Sequence, residues 1–300
     1  MGQALGLQRP LGPPSQTYNR SMFAPADDSL AQRLERLECG FPEYLHAFNT
    51  RPPFTRSQFE HHLRTIELLR RFKTASDAAR DEGFADSLAK TLKSWDIGVE
   101  RYSADLVPPQ QFREQLRRTS MALAELEHLR IDDSALDTDR AARRIWLIIE
   151  DLDIVRYEGH PVERKVASGT KALHHLLPNL VFPIDNEYTG TFFRWNDFGR
   201  RPEENFKSVF RQVAAIARAV SPQSYVGEGW NTSVSKVLDN AIVGFCLSEG
   251  LMSPNKRNRR KRQAELASLS KLLKEAGLTD SLELARRLKE LAGTELPPRR

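Results

Sequence analysis

The chain has 300 residues, a net charge of +5 and a pI near 9.2. A hydrophobic share of 40% and a mean hydropathy of −0.53 indicate a soluble, well-charged protein of one large or two ordinary domains. The basic excess lies in the last 50 residues, where 13 Lys/Arg and 6 Asp/Glu give +7, so the preceding residues carry −2. This distribution counts against a broadly basic nucleic-acid-binding face on the main body.

Several common classes are excluded by missing motifs. No apolar run approaches the roughly 20 residues that span a bilayer, and we expect neither a secretion signal nor a membrane partner. Phosphate-binding glycine loops, H-E-x-x-H, paired C-x-x-C and the G-x-S-x-G elbow are absent from the sequence. Cys39 and Cys246 form no metal-ligand spacing. We therefore predict no cofactor, no metal, and a bacterial protein of the cytoplasm.

Helical periodicity dominates the first half of the chain. Residues 1–28, rich in Gly, Pro, Ser and Gln, predict a flexible arm. The spacing of apolar residues then predicts helices over 29–38, capped by Asp27 or Asp28, and over 41–48. A capping-box pattern at Thr55 predicts the next helix, in which adjacent His61 and His62 are expected at the surface or an edge. Further helices are predicted over 81–95 and from Pro108.

The second half continues the same pattern. A long helix from Thr138 or Asp139, either of which could cap it, to about Tyr157 is apolar on nearly all sides, which predicts a buried helix. Amphipathic helices are predicted over 203–220 and 234–247, where Asp239 and Asn240 could form a buried polar pair, Asn240 facing Asp185. No strand is predicted, because β-branched and aromatic runs are short and hairpin signals are absent. The predicted class is mainly α, a multi-helix orthogonal bundle.

We divide the chain into four predicted parts. The arm, 1–28, precedes an all-α body over 29–250, a basic linker over 251–263, and a helical tail over 264–300 with leucines at helical spacing.

The functional interpretation depends on one segment, Lys165 to Phe193, with the sequence KVASGTKALHHLLPNLVFPIDNEYTGTFF. A short helix is predicted to open at Ser168 and to end at Pro178, which lacks an N–H. The apolar residues 180–184 then lead into Asp185. An acid that directly follows a stiff apolar run is expected to have a specific partner.

This segment resembles the helix-hairpin-helix DNA glycosylases. Gly169-Thr170-Lys171-Ala172, an apolar helix, a proline-containing connection and Pro183-Ile184-Asp185 match the order of that family's signature over about residues 165–193. The usual L-P-G-V-G hairpin is replaced here by residues 165–169. The pattern of lysine, histidine, prolines and aspartate is also similar to that of uncharacterised bacterial helical proteins. The resemblance implies a glycosylase-like core over about 138–250.

The resemblance also implies roles for individual residues. Lys171 would be the Schiff-base nucleophile and Asp185 the catalytic acid. His174 and His175 follow one turn later; one of them is expected to pack against the core, either could hydrogen-bond Asp185, and His174 is the third predicted catalytic residue. Gly169 and Thr170 would contact DNA. Two alternatives stay open at this point: Lys171 could be a solvated first-turn lysine, and Asp185 could be the N-cap of the helix that follows it.

A second candidate site is the basic run Lys256-Arg257-Asn258-Arg259-Arg260-Lys261-Arg262. Six cations in seven residues bind polyanions with little sequence preference, so Lys256, Arg257, Arg259, Arg260, Lys261 and Arg262 are predicted to contact DNA or RNA. The leading interpretation is a DNA-associated protein with glycosylase or abasic-site lyase activity. The alternative is a non-catalytic helical scaffold or regulator, whose tail binds a protein or RNA.

Overall fold

A computed structural model describes residues 29–97, 104–157, 159–161, 165–194, 201–227 and 229–251. The predicted arm, nearly all of the basic linker and the whole tail lie outside these described residues, as does the loop over 195–200. Within them the protein is mainly α, as the sequence predicts. The helices are α1 (Leu30–Cys39), α2 (Phe41–Thr50), α3 (Arg56–Leu69), α4 (Ala75–Arg80), α5 (Glu82–Ser94), α6 (Pro109–Ala124), α7 (Thr138–Asp151), α8 (Val166–Leu176), α9 (Thr189–Phe192), α10 (Pro202–Val220) and α11 (Val234–Ser248).

Polar side chains define where several helices begin. The predicted capping box at Thr55 is confirmed, with the Thr55 hydroxyl accepting from the Gln58 amide and Gln58 accepting from the Thr55 amide. The predicted cap of α1 is wrong, because Ser29 occupies that position and forms a capping box with Gln32. Asp137 rather than Thr138 or Asp139 caps α7, since its carboxylate accepts from the Arg140 amide.

The prediction that the chain has no strands is wrong. Three short strands, β1 (Ala104–Leu106), β2 (Val155–Tyr157) and β3 (His160–Pro161), form an antiparallel sheet in that order. The register pairs Asp105 with Arg156 and Tyr157 with His160. The predicted long helix therefore ends at Asp151, not near Tyr157. Strands of two or three residues are too short to produce a detectable alternation of apolar and polar positions.

Helix α7 is buried on one face only. Ile145, Ile148 and Ile149 lie in the core, whereas Leu147 is 49% exposed. The expectation of a helix buried on nearly all sides is therefore wrong. The apolar residues of its centre continue around the helix, but Leu147 points away from the face that carries Ile145, Ile148 and Ile149.

Helix α11 runs through the centre of the fold and packs closely against α2. Every residue from Val234 to Cys246 is buried. Gly244 allows the approach, because a Cβ atom at this position would lie 1.9 Å from the Tyr44 carbonyl oxygen. That distance is far inside van der Waals contact, and the obstacle is backbone rather than a flexible side chain. The two helices could not keep this spacing with any larger residue.

We predict that Gly244→Ala destabilises the protein by about 3 kcal/mol or more. Alanine is favoured over glycine inside a helix by about 1 kcal/mol, so a net loss requires the clash with α2 to outweigh that gain. Urea unfolding followed by tryptophan fluorescence measures the difference. Gly227→Ala is the matched control, because nothing lies within 4 Å of its Cβ position and φ is not in the left-handed region. Equal stability of the two variants would contradict the packing described for α2 and α11.

Candidate functional site

Lys171, His174 and His175 of the segment 165–193 lie in a buried group that also includes residues of α3 and α11. We call this group the polar cluster; its members are His62, Lys171, His174, His175, Lys236 and Asp239. Four of them have no exposed or almost no exposed surface, with Lys236 at 1% and the three histidines at 0%. Lys171 differs because it remains partly exposed. So many titratable groups in one interior are unusual and need specific partners.

Two histidines form a hydrogen-bonded chain that ends on the backbone of Lys171. The Nδ1 atom of His175 lies 2.8 Å from the Lys171 carbonyl oxygen, and its Nε2 atom lies 3.0 Å from Nδ1 of His62. A carbonyl only accepts, so a neutral His175 carries its proton on Nδ1 and accepts at Nε2. His62 must then donate from Nδ1, and its Nε2 accepts from the Thr232 hydroxyl at 2.9 Å. The contacts thus assign one tautomer to each ring.

His174 presents an unused nitrogen inside the cluster. Its Nδ1 atom is 3.1 Å from the Val181 carbonyl oxygen and 3.0 Å from the Ser235 hydroxyl. The Ser235 hydroxyl itself donates to backbone carbonyls, including that of Pro178 at 2.6 Å. Nδ1 of His174 is therefore the donor to Val181, and Nε2 holds a buried lone pair with no hydrogen-bond partner among the described residues. A nitrogen of this kind can accept a proton.

Lys236 is enclosed by aromatic rings and one carboxylate. Its Nζ atom lies 5.2 Å from the ring centroids of Phe54, Trp95 and Trp230. All three distances are within the range of cation–π attraction. The Asp239 carboxylate, three residues along α11, accepts a hydrogen bond from the same ammonium. The carboxylate and the three rings are the kinds of partner that stabilise a buried ammonium.

Lys171 occupies the sixth position of α8 and not its first turn, since the helix begins at Val166. Its Nζ atom donates to the Trp95 carbonyl oxygen at 3.1 Å and lies 6.0 Å from the centroid of that ring. The solvated first-turn alternative for Lys171 is therefore wrong. Loss of hydration lowers the pKa of the Lys171 amine, while the Asp185 and Asp239 carboxylates oppose that change.

Asp185 binds the backbone of the turn that leads into the short helix α9, whose own N-cap position is Tyr188. Its Oδ1 atom accepts from the amides of Glu187, Tyr188 and Thr189 at 2.9, 2.6 and 3.1 Å. The capping alternative is therefore correct only in part: the carboxylate satisfies backbone amides, but the helix begins at Thr189 and not near Asn186 or Glu187. Among the described residues, Oδ2 has no hydrogen bond, and the residue is partly exposed. The carboxylate is near enough to Lys171 to raise the pKa of its amine, so these backbone bonds do not remove Asp185 from the charged site.

Burial keeps the imidazoles of the cluster neutral. It lowers the pKa of His62 and His174 well below the ordinary value, and lowers the pKa of His175 to about 4. The Lys236 ammonium adds to the effect on each of the three rings. Burial also raises the pKa of the Asp239 carboxyl, although Lys236 opposes the change. Near neutral pH the cluster therefore combines neutral bases with a fixed cation.

Two predicted DNA contacts receive no support from the geometry. Thr170 is 0% exposed, and its hydroxyl accepts from the Ile184 amide at 3.1 Å and donates to the Val166 carbonyl. A Cβ atom on Gly169 would lie 2.9 Å from Ile149 of α7. Both residues are therefore used in packing α8 against its neighbours, which corrects their predicted placement on a DNA-facing surface. The six cations of the basic run lie outside the described residues.

Other sequence predictions around the site fail for identifiable reasons. His62 is buried, because it shares a face of α3 with Ile66 and Leu69; the same spacing was visible in the sequence. Asn240 donates to Asn231 at 2.9 Å and not to Asp185. The sequence analysis does not identify Lys236. As the single cation in the apolar stretch 234–247, it could have been recognised as a buried lysine. The aromatic partners come from distant segments and could not be assigned from spacing.

Cavities and metal geometry do not account for the cluster. A cavity of about 290 Å³ opens beside Phe72 and Pro178, and another of about 750 Å³ beside Leu136 and Arg140. Neither is lined by a member of the polar cluster. In the part of the chain that the structure describes, no group of three or more His, Cys, Asp or Glu side chains is arranged to hold a metal ion. No helix there is long and apolar enough to cross a bilayer.

Comparison with protein-family models, with curated proteins and with solved structures finds no match for this chain.

We predict that acid destabilises the protein partly through His175. The unfolded chain binds a proton at His175 as the pH falls through about 6.5, whereas the folded protein resists until about pH 4. Stability is therefore lost as the pH falls through this window, by about 2 kcal/mol between pH 7 and pH 5 for this residue. Urea unfolding at the two pH values measures this. The loss of unfolding free energy between pH 7 and pH 5 should be smaller in His175→Gln than in the wild type by about 2 kcal/mol.

The exposed position His46 supplies the matched control, because His46→Gln makes the same change at the surface of α2. An identical pH dependence in wild type and His175→Gln would rule out the neutral buried imidazole described here.

Proposed function

We propose that this chain is a DNA-associated helical protein with base-excision chemistry of the lyase type, in which Lys171 is the amine nucleophile. The observation that carries the proposal is the state of Lys171. Its amine sits among buried charged groups with a lowered pKa, yet the residue keeps partial exposure to solvent. A lysine must lose its proton before it can attack carbon, so a lowered pKa favours that role.

The chemistry proposed for Lys171 is imine formation with the aldehyde of an abasic deoxyribose. The free amine forms a bond from Nζ to C1′, and the aldehyde oxygen leaves as water with the two amine protons. Reversible imine formation requires an amine that is neutral at working pH and an acid–base group nearby. The desolvated position of Lys171 against the Trp95 carbonyl supports the first requirement.

Asp185 and His174 are the proposed acid–base groups. The three amides bound to Oδ1 hold the Asp185 carboxylate in a fixed orientation and leave Oδ2 available. Nε2 of His174 is an unpartnered base in the same cluster. Either group could take the C2′ proton whose loss breaks the 3′ phosphate ester of the bound sugar. We assign that step to Asp185, which has the greater exposure.

The proposed architecture and the proposed partner follow from the same base-excision hypothesis. We place a helix-hairpin-helix glycosylase-like core over about 138–250, in which α8 carries Lys171 and the chain before α9 carries Asp185. The basic run over 256–262 is the proposed contact with the phosphate backbone of DNA. Such a contact supplies affinity with little sequence preference, so recognition of damage would come from the polar cluster.

A second candidate is a non-catalytic helical scaffold or regulator that binds RNA or a protein through its basic tail. The binding of Asp185 to the turn before α9 favours it, because three amide hydrogen bonds by themselves account for an acid at this position. The bonds of the histidines to backbone carbonyls also suit a structural network. In this reading the cluster fixes the arrangement of α3, α8 and α11 and reacts with nothing.

Borohydride trapping on an oligonucleotide with one abasic site tests the proposal. We expect the full-length chain to form a covalent adduct, and Lys171→Ala to reduce its yield roughly 100-fold or more, since removal of the nucleophile removes the reaction. Lys90→Ala is the control, because Lys90 lies exposed on α5. An adduct that survives in Lys171→Ala would refute the assignment.

Asp185→Asn separates the two roles of that residue. Asparagine keeps an oxygen that can accept from the amides of the turn before α9 but removes the charge. The variant should fold normally and form the trapped adduct, while cleaving the abasic strand roughly 10- to 100-fold more slowly. If the wild-type chain binds nucleic acid but yields no adduct at all, the scaffold candidate replaces the enzyme.

A further inference from the structure

Two lysine ammonium groups of the cluster flank the same tryptophan. The backbone carbonyl of Trp95 accepts from Lys171, whose Nζ atom is 6.0 Å from the ring centroid. The Nζ atom of Lys236 is 5.2 Å from that centroid. The two nitrogens are therefore at most about 11 Å apart, a distance over which buried charges interact with little screening.

Lys236 is much more strongly constrained than Lys171. It is 1% exposed, and its ammonium lies at the same distance from the rings of Phe54, Trp95 and Trp230. The Asp239 carboxylate fixes it from the next turn of α11. The side chain has almost no contact with solvent and is held by Asp239 and three aromatic rings, so the position of its ammonium in the site is fixed.

We propose that the Lys236–Asp239 pair is a positioning device that sets the charge state of Lys171, the ammonium favouring the reactive free amine and the carboxylate opposing it. The proposal rests on the proposed function only in treating Lys171 as the reactive amine. The pair touches no substrate in this account. It acts through its field on the partly exposed lysine beside it.

Charged and titratable groups face Lys171 from several elements. Asp96 follows α5, Asp185 precedes α9, and Lys236 and Asp239 lie on α11; the three carboxylates raise the pKa of Lys171, and Lys236 lowers it. The histidines are His62 on α3 and His174 and His175 on α8. Their lowered pKa leaves them neutral near pH 7, so the lysine on α11 is the cation of the cluster that acts on Lys171.

The size of the effect follows from the distance. At about 11 Å, the largest separation that these contacts allow, and an effective dielectric constant of about 20, two unit charges shift each other's pKa by roughly one unit; a shorter separation gives a larger shift. Asp239 acts with the opposite sign from a neighbouring position. Removing Lys236 should therefore raise the pKa of Lys171, and removing Asp239 should lower it.

Competitive acylation with acetic anhydride measures this directly on the full-length chain. The extent of Lys171 acetylation is followed by mass spectrometry from pH 6 to pH 11. The midpoint of this pH profile reports the pKa of the Lys171 amine. We expect the midpoint to rise by about one pH unit in Lys236→Met and to fall by about one pH unit in Asp239→Asn. The double variant should return close to the wild-type midpoint. Lys90, exposed on α5, is the internal control in every digest.

Unchanged midpoints in Lys236→Met and Asp239→Asn would overturn the proposal, as would shifts of the same sign. A Lys171 that acetic anhydride never acylates would overturn it too. Lys236→Arg keeps the charge, so it should keep the wild-type midpoint; if Lys236→Met does not fold, the fall in Asp239→Asn and its absence in Lys236→Arg are the test. The labelling uses no DNA. Opposite shifts without a borohydride adduct would therefore retain this proposal and reject the lyase.

Discussion

The structure depends on the buried lysine Lys236, whose ammonium needs hydrogen-bonding and charged partners in the protein interior. Lys236 lies on the central helix α11 at a position where solvent is excluded, and an isolated ammonium there would be strongly unfavourable. Asp239 and the three aromatic rings around Lys236 make the charge tolerable. Those rings come from the segment before α3, the end of α5 and the segment before α11. Satisfying one charge thus draws distant parts of the chain together.

The same requirement explains the hydrogen bonding of the histidines. A buried imidazole must use its N–H, and His174 and His175 both donate to backbone carbonyls on or just after α8. His62 joins α3 to this network through His175 and reaches the start of α11 through Thr232. The resulting contacts hold three helices in one arrangement. They also leave Nε2 of His174 without a hydrogen-bond partner among the described residues.

Structure and proposed reactivity are coupled through desolvation. Burial costs stability wherever a charged form is forced into the interior, and it lowers the pKa of Lys171 for the same reason. Partial exposure of the residue as a whole distinguishes Lys171 from Lys236. Asp185 combines an oxygen that binds backbone amides with a second oxygen that has no hydrogen bond in the described part of the chain. A residue can therefore serve the local backbone and still contribute charge to the site.

The helices could be predicted from the sequence because their signals are local. Capping at Thr55 and the apolar spacing along α10 need only neighbouring residues, and both are present in the structure. The strands were missed because each has only two or three residues, and because β1 pairs with β2 from about fifty positions away. Lys171, His174 and Asp185 lie in one segment and could be named together from the sequence, whereas His62, Trp95 and Lys236 lie near that segment only through tertiary packing. Burial of a polar residue depends on partners that sequence spacing does not identify.

The unfolding free energy of two α11 variants tests the central claim most directly. Lys236→Met leaves Asp239 as an uncompensated buried carboxylate and should cost about 3–5 kcal/mol. Lys236→Met combined with Asp239→Leu removes both charges and should restore stability to within about 1 kcal/mol of wild type. If Lys236→Met alone unfolds at the wild-type denaturant concentration, the buried ion pair is not the constraint on which this fold depends.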